Sequence, residues 1–181
     1  MLFKMLRISG HFFCCPFSMP MENTNALHEK FMRIAIELSK KNILESLGGP
    51  FGAVVVRNNE IIAQSANRVL TTNDPTAHAE VCAIRLACAK LNTPDLTGCV
   101  IYTSCEPCPM CLSAIYWSRI STIYYANTKT DAGDIGFDDQ FIYEELKKPK
   151  AARSLPVVQL MRDEAQQVFK LWSQTAMKSD S

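Results

Sequence analysis

The sequence lacks an excess of charge of either sign. Nineteen Lys and Arg residues against 18 Asp and Glu give a formal net charge of +1 over 181 residues. A broad nucleic-acid interface needs a marked basic surplus, so that class of protein is disfavoured and only a local basic patch is compatible with the composition. The chain also lacks the low hydrophobicity typical of disorder, because 48% of its residues are hydrophobic. We therefore expect one folded domain with a sizeable core.

Long apolar runs are also absent, which excludes a membrane-spanning helix. The first 20 residues carry Lys4 and Arg7 before a short apolar stretch that ends at Pro16. This stretch lacks the small-residue cleavage site of a signal peptide, so we expect no export. The prediction is a disordered leader over residues 1–22 and a functional domain over residues 23–181 that ends in a helix and tail.

No repeat or low-complexity tract interrupts the pattern of elements. Hydrophobic spacing and turn residues predict helices over 27–38, 77–90, 109–117 and 165–176, strands over 53–57, 61–64, 99–103, 122–126 and 157–161, and an Asp/Gly-rich loop over 131–139. The helices over 77–90 and 109–117 are apolar enough to be buried. This alternation predicts an α/β fold, a three-layer α-β-α sandwich in which helices cover a central sheet.

The eight cysteines are not arranged as a disulfide framework. Cys105, Cys108 and Cys111 follow one another at three-residue intervals, a metal-type cluster, whereas Cys82 and Cys88 fall in apolar stretches. Buried free thiols behave as small hydrophobic groups. A reduced, cytoplasmic protein is therefore expected.

One His and two Cys form the sharpest candidate site. His78 lies at one predicted helix start, and Cys108 and Cys111 lie at another. These residue types suit tetrahedral Zn²⁺, and three protein ligands leave a fourth position for water, which is typical of catalytic zinc. Helix N-termini also favour thiolate over thiol. Cys105 allows a four-ligand structural site, but Pro107 favours a helix that opens at Cys108 and leaves Cys105 at the strand end. Plain buried thiols are the alternative.

Glu80 completes a motif with these ligands. His78-Ala79-Glu80 followed by Pro107-Cys108-Pro109-Met110-Cys111 matches the H-x-E and P-C-x-x-C signature of zinc deaminases, in which the Glu is an acid/base and not a ligand. We expect Glu80 to take a proton from water and to deliver it to the ring nitrogen and the leaving ammonia. A solvated helix residue is the alternative.

With these motifs the sequence resembles the cytidine-deaminase-like zinc superfamily, and more closely the bacterial guanine deaminases. The resemblance runs from about residue 29 to residue 156 and is carried by residues 49–54, 73–80, 104–111 and 136–143. The first three blocks have close counterparts in tRNA adenosine deaminases. The Gly-Phe-Asp-Asp block at 136–139 discriminates more strongly in favour of guanine deaminases.

The resemblance implies a central mixed sheet, a Zn²⁺ cofactor, a homodimer and a set of site residues. It implies that Asn67 hydrogen-bonds a purine, that the Ala79 N–H meets the purine carbonyl, that Phe51 and Trp117 line the base pocket, and that Asp139 is a second proton shuttle. Each assignment has a plainer alternative. Asn67 is a type of residue that caps turns, Phe51 and Trp117 are types that fill cores, and Asp139 is a common loop acid.

One departure from the family concerns the C-terminal tail. After Trp172 the chain continues through Met177 to Ser181 without an aromatic residue, whereas the guanine deaminases end in an aromatic tail that closes over the site. The expected function is therefore hydrolysis of guanine to xanthine and ammonia, with guanosine or another nucleoside as an open alternative. A tRNA adenosine deaminase and a non-catalytic zinc-stabilised module are further alternatives. The intact His78-Ala79-Glu80 disfavours the non-catalytic module.

Overall fold

The protein was analysed as a computed structural model that describes residues 21–175. These residues belong to two compact units, Met1–Thr128 and Lys129–Ser181. The leader expected over residues 1–22 lies outside the described residues except for its last two, with which the first helix begins. None of the helices within 21–175 combines the length and the apolar character needed to cross a bilayer.

The first unit contains the expected helices and strands and one further short helix, α2 (Val69–Thr72), that the sequence did not predict. Its elements are α1 (Met21–Leu44), β1 (Gly52–Arg57), β2 (Glu60–Ala66), α2 (Val69–Thr72), α3 (Ala79–Leu91), β3 (Cys99–Cys105), α4 (Pro109–Trp117) and β4 (Thr122–Asn127). The predicted hairpin corresponds to β1 and β2, which pair antiparallel and are joined at Asn58 and Asn59. Both asparagines have positive φ, which this residue type tolerates in tight turns.

The four strands form one mixed sheet in the order β2-β1-β3-β4. β1 pairs antiparallel with β3, and β3 pairs parallel with β4. A parallel pair requires a crossover connection, and α4 supplies it between β3 and β4. The sheet therefore has the mixed character implied by the resemblance.

Alternate residues of β1 face two different hydrophobic clusters. Val54 and Val56 pack with Phe31 and Ala35 of α1, whereas Ala53 and Val55 pack with residues of α3 and with Ile115 of α4. Successive strand residues point to opposite faces of a sheet, so α1 covers one face and α3 with α4 covers the other. The predicted three-layer α-β-α arrangement is confirmed.

Close approach of α1 to the sheet requires a glycine at the start of β1. A Cβ atom placed on Gly52 would lie 2.2 Å from the carbonyl oxygen of Ala35. The Gly52 N–H in turn donates a hydrogen bond to Ser104 Oγ at 2.9 Å, which joins the start of β1 to the end of β3. This end of the sheet is also the end from which α4 departs.

The second unit contains short helices where the sequence analysis predicted irregular structure and a strand. Its elements are α5 (Lys129–Asp134), α6 (Gln140–Lys147), a 3₁₀ turn (Lys150–Ala152) and α7 (Arg162–Gln174). The predicted closing helix over 165–176 is α7, which begins earlier and ends before Thr175. The prediction of a continuous Asp/Gly-rich loop over 131–139 is wrong, because α5 occupies the first part of this stretch.

The strand predicted over 157–161 is wrong, because these residues adopt neither strand nor helix. Their apolar content suggested a strand, but Val157, Val158 and Leu160 are exposed and pair with no strand among the described residues. Strand formation depends on a partner edge more than on composition. Composition also overestimated the burial of two helices. α3 and α4 were expected to be buried, but Leu86, Tyr116 and Trp117 are exposed.

Candidate zinc site and active site

Two helix N-termini carry the predicted metal ligands. His78 is the N-cap residue of α3, Cys108 is the N-cap residue of α4, and Cys111 follows in the first turn of α4. N-cap positions favour Ser, Thr, Asp and Asn, whose side chains bond to the first turn of the helix. Neither His78 nor Cys108 makes such a bond. Their side chains instead turn towards each other.

The three ligand atoms form a compact triangle. His78 Nδ1 lies 3.6 Å from Cys108 Sγ and 3.5 Å from Cys111 Sγ. All three atoms lie within 4.8 Å of one another. Zinc bonds of ordinary length to nitrogen and sulfur, set at the tetrahedral angle, place N and S about 3.6 Å apart. The residues present therefore fit a zinc ion with three protein ligands, as predicted.

A hydrogen bond between the thiols of Cys108 and Cys111 shifts their pKa values in opposite directions. This bond from Cys111, together with His78, lowers the pKa of Cys108 to about 4. The same bond, with burial, raises the pKa of Cys111 far above its usual value. The two pKa values thus move in opposite directions, and a divalent ion would favour the thiolate form of both side chains because metals bind thiolates.

Cys105 lies outside the cluster. It is the last residue of β3, and its thiol lies 3.5 Å from the carbonyl oxygen of Thr128. The only group of three or more His, Cys, Asp or Glu residues within 21–175 that is arranged to hold a metal is His78, Cys108 and Cys111. The four-ligand alternative is therefore not supported by the geometry.

Glu80 lies beside the ligands in the first turn of α3. Its side chain is buried, with 7% of its surface exposed, and it forms a hydrogen bond with Cys111. Burial raises the pKa of the Glu80 carboxyl to about 7. A buried carboxyl with a pKa near neutrality is suited to accept and return a proton. The alternative of a solvated helix residue is wrong.

Asn67 and Phe51 are neighbours at the end of the hairpin where β1 begins and β2 ends. The Asn67 N–H donates to the carbonyl of Phe51 at 3.0 Å, and Asn67 Oδ1 accepts a hydrogen bond from the Val69 N–H at 3.2 Å. Asn67 therefore makes the turn contact named as its plainer alternative, and its role towards a purine stays a prediction. Phe51 is partly buried and packs against the core between the sheet and α3. Ala79 is the first residue of α3, where backbone N–H groups have no acceptor within the helix.

The sequence analysis missed Asn42, which supports this region. Asn42 is buried in α1, and its Nδ2 donates to the carbonyls of Gly49 at 2.9 Å and Asn67 at 3.0 Å. It thereby holds the backbone at Gly49, where the first block of the family resemblance begins, and at Asn67. The available signal was its position, because Asn42 continues the apolar spacing of Leu38 at i+4 with a polar side chain.

Trp117 and Asp139 are described by their own elements. Trp117 ends α4 and is 80% exposed, so it does not fill the core. It lies nine positions after Cys108, which corresponds to about 13.5 Å along the helix axis. Asp139 is the N-cap residue of α6 in the second unit. The assigned roles of both residues stay predictions.

Comparison with known proteins places this geometry in context. A family model for the cytidine and deoxycytidylate deaminase zinc-binding region matches residues 25–127. The chain is 49% identical to guanine deaminase of Bacillus subtilis over 153 residues, which cover 84% of this chain and 98% of the relative. The crystal structure of that relative superposes with a TM-score of 0.82 over the same shares of both chains.

Other relatives are similar over different lengths. A tRNA-specific adenosine deaminase of Aquifex aeolicus is 42% identical over 98 residues, which cover 54% of this chain and 64% of that protein. A structure of guanine deaminase from Nitrosomonas europaea is 30% identical, covers 92% of this chain and 100% of its own, and has a TM-score of 0.58. The similarity to guanine deaminases therefore extends into the second unit.

Replacement of single cysteines separates a three-ligand site from a four-ligand site. Cys108→Ala should lose bound zinc, because two remaining ligands hold the ion poorly, whereas Cys105→Ala should retain one zinc per chain. Elemental analysis of the two purified variants beside wild type measures this. Zinc lost from the Cys105 variant and kept by the Cys108 variant would contradict the assignment.

Proposed function

The chain belongs to the cytidine and deoxycytidylate deaminase zinc-binding family, and on that premise we propose that it is a zinc-dependent aminohydrolase that converts guanine and water to xanthine and ammonia. The match to guanine deaminase of Bacillus subtilis carries the choice of substrate, because it extends over 98% of that protein. The match to the tRNA-specific adenosine deaminase is limited to 54% of this chain. The near-neutral net charge also disfavours a polyanionic substrate.

The chemistry rests on Glu80. A zinc ion held by His78, Cys108 and Cys111 would act as a Lewis acid that brings the pKa of water towards neutrality. Glu80 takes the proton of the attacking water and transfers it to the ring nitrogen of guanine. As the water oxygen bonds to C2, the ring nitrogen receives this proton; Glu80 then moves the remaining hydroxyl proton to the amine, so that the C–N bond at C2 breaks, the carbonyl of xanthine forms and ammonia leaves.

Several residues are assigned to recognition of the base. Asn67 would hydrogen-bond the purine edge, the backbone N–H of Ala79 would donate to the purine carbonyl, and Phe51 would contact the ring. Support comes from the placement of Asn67 beside Phe51 and of Ala79 beside the zinc ligands. We keep Trp117 as a base-pocket residue on the family resemblance alone.

We assign a homodimer in a reducing, cytoplasmic setting. Tyr116 and Trp117 are 76% and 80% exposed at the end of α4, which is typical of aromatic side chains at protein interfaces. The six cysteines among residues 21–175 are all free thiols, which supports a reducing compartment.

Guanosine is the second candidate substrate, because the C-terminal tail lacks the aromatic residue expected of a lid. The last six residues of this tail, 176–181, lie outside the described residues. The other features of the match favour the free base. The two substrates differ only in the ribose, so kinetics can separate them.

A panel of purines and a pyrimidine tests the proposed function. Ammonia release from guanine should exceed that from guanosine, adenine and cytosine, because the resemblance is to base-specific enzymes. Preference for guanosine would overturn the choice of free base, and activity on a tRNA anticodon stem-loop alone would overturn the proposed substrate class. A zinc-replete protein inactive on every compound would favour the non-catalytic module.

Glu80→Gln should keep zinc and fold but lose activity, because an amide has the same shape and accepts no proton. The expected loss in kcat is at the upper end of about 10²–10⁴-fold, since Glu80 serves more than one transfer. In wild type the base must be ionised, so kcat/KM should fall as the pH drops through the pKa of Glu80, which burial raises to about 7. A bound zinc cation favours the ionised form, so the fall in kcat/KM should lie at a lower pH in the zinc-loaded enzyme. Near-normal ammonia release by a zinc-replete Gln variant would contradict the role.

Asp139→Asn tests the second proton shuttle. If Asp139 helps to protonate the departing amine, kcat should fall with little change in KM, the pattern of an interaction made mainly in the transition state. Asp138→Asn is a matched control one residue away. Unchanged kinetics in the Asp139 variant, or an equal loss in both variants, would remove Asp139 from the mechanism.

A further inference from the structure

A cavity of about 550 Å³ lies in the first unit, apart from the zinc ligands. Residues of α1, β2 and α3 line it, and none of His78, Glu80, Cys108 or Cys111 is among them. Its volume falls within the range of small-molecule sites. The reaction proposed above gives this cavity no task.

The cavity concentrates positive charge in a chain that is nearly neutral overall. Lys41, Arg68 and Arg85 line it from three separate parts of the chain, against one carboxylate, Glu45. Glu45 lies 3.7 Å from Lys41 and so compensates that cation in part. Asp74 lies 3.5 Å from Arg85 and compensates this second cation in part as well. Arg68 is thus the lining cation that no carboxylate of the described residues pairs with.

Both arginines have donors available. Arg85 lies 3.5 Å from Asp74 and from Thr76 Oγ1, at the limit of hydrogen-bond distance. Within residues 21–175 the Arg68 guanidinium makes no hydrogen bond or ion pair. Both arginines line the same cavity, together with Cys82. Guanidinium groups match the oxygens of a phosphate, and a phosphate at Arg85 would share this side chain with Asp74.

The remainder of the wall is partly apolar. Leu38, Leu47, Ala66 and Leu86 line the cavity together with the polar side chains of Gln64 and Ser65. Inorganic phosphate alone would leave most of this volume and all of the apolar wall without contact. A phosphate group attached to a small organic body would use both kinds of surface.

We propose that this cavity binds a small phosphate monoester of the size of a mononucleotide, with its phosphate on Arg68 and Arg85 and its organic part against the leucine side chains. The proposal does not depend on the deamination reaction. It predicts a second binding site in the same unit that an uncharged nucleoside does not occupy.

Calorimetric titration of the zinc-loaded full chain tests the affinity. Guanosine 5′-monophosphate should bind more tightly than inorganic phosphate, and its affinity should fall as salt is added. Joint replacement Arg68→Gln and Arg85→Gln should weaken binding at least tenfold, and Arg68→Gln alone should weaken it less. Arg57→Gln, which removes an exposed arginine outside the cavity, should leave the affinity unchanged. Thermal unfolding without ligand checks that each variant is folded.

Alkylation of two cysteines on α3 locates the ligand. Cys82 lines the cavity and Cys88 does not, and both are partly exposed. The monophosphate should slow the reaction of iodoacetamide with Cys82 and leave that of Cys88 unchanged, as read from the modified peptides. Guanosine should protect neither residue.

Four outcomes would overturn the proposal. These are equal affinity for phosphate and the monophosphate, equal affinity for guanosine, equal weakening by Arg57→Gln and by the paired replacement, and unprotected Cys82. Because none of these measurements uses deamination, failure here and failure of the guanine deaminase activity are separate results.

Discussion

The meeting of two helix N-termini is the constraint on which the zinc site depends. α3 and α4 pack on the same face of the sheet through a shared hydrophobic cluster that includes Ala83 and Ile115. This packing sets the His78 side chain beside both thiols. Two positive helix ends at one point would be unfavourable alone, but thiolates and a carboxylate compensate them. The packing of the core thus sets the positions of the three ligands, of which Cys111 is itself fully buried.

Burial of polar groups near this point has an energetic cost that the fold limits. The ionised carboxylate of Glu80 would be more stable in water than in this buried position, as the raised pKa of Glu80 indicates. A carboxyl whose folded pKa lies above its unfolded value stabilises the fold below the unfolded pKa, and this contribution is lost as the pH rises through about 7. The ionised form that we propose for catalysis is therefore the form that the fold tolerates least. The neighbouring buried amides of Asn42 and Asn67 have hydrogen-bond partners instead.

α3 has two chemically different faces. Glu80, Ala83 and Ala87 are buried, with Glu80 towards the zinc ligands and the alanines towards the core, whereas Cys82, Arg85 and Leu86 line the basic cavity. A short helix with small residues on its inner face packs closely on the sheet and still presents long side chains outwards. This division explains why the sequence appeared apolar on nearly every face of this helix although one face is exposed.

The sequence by itself determined the elements of the first unit, except the short helix α2, and the residues that form the candidate metal site. Hydrophobic periodicity is a local property, so the hairpin, α3, β3, α4 and β4 were predictable within a few residues. The ligands could also be identified from local sequence, because their residue types suit zinc and the proline next to Cys108 marks the start of a helix. Tertiary structure decided what depends on distant partners. The strand expected over 157–161 found no sheet edge among the described residues, and Asn42 acquired its role only because α1 lies against Gly49 and Asn67. Burial likewise raised the pKa of Glu80, since desolvation depends on the surrounding fold and not on neighbours in sequence.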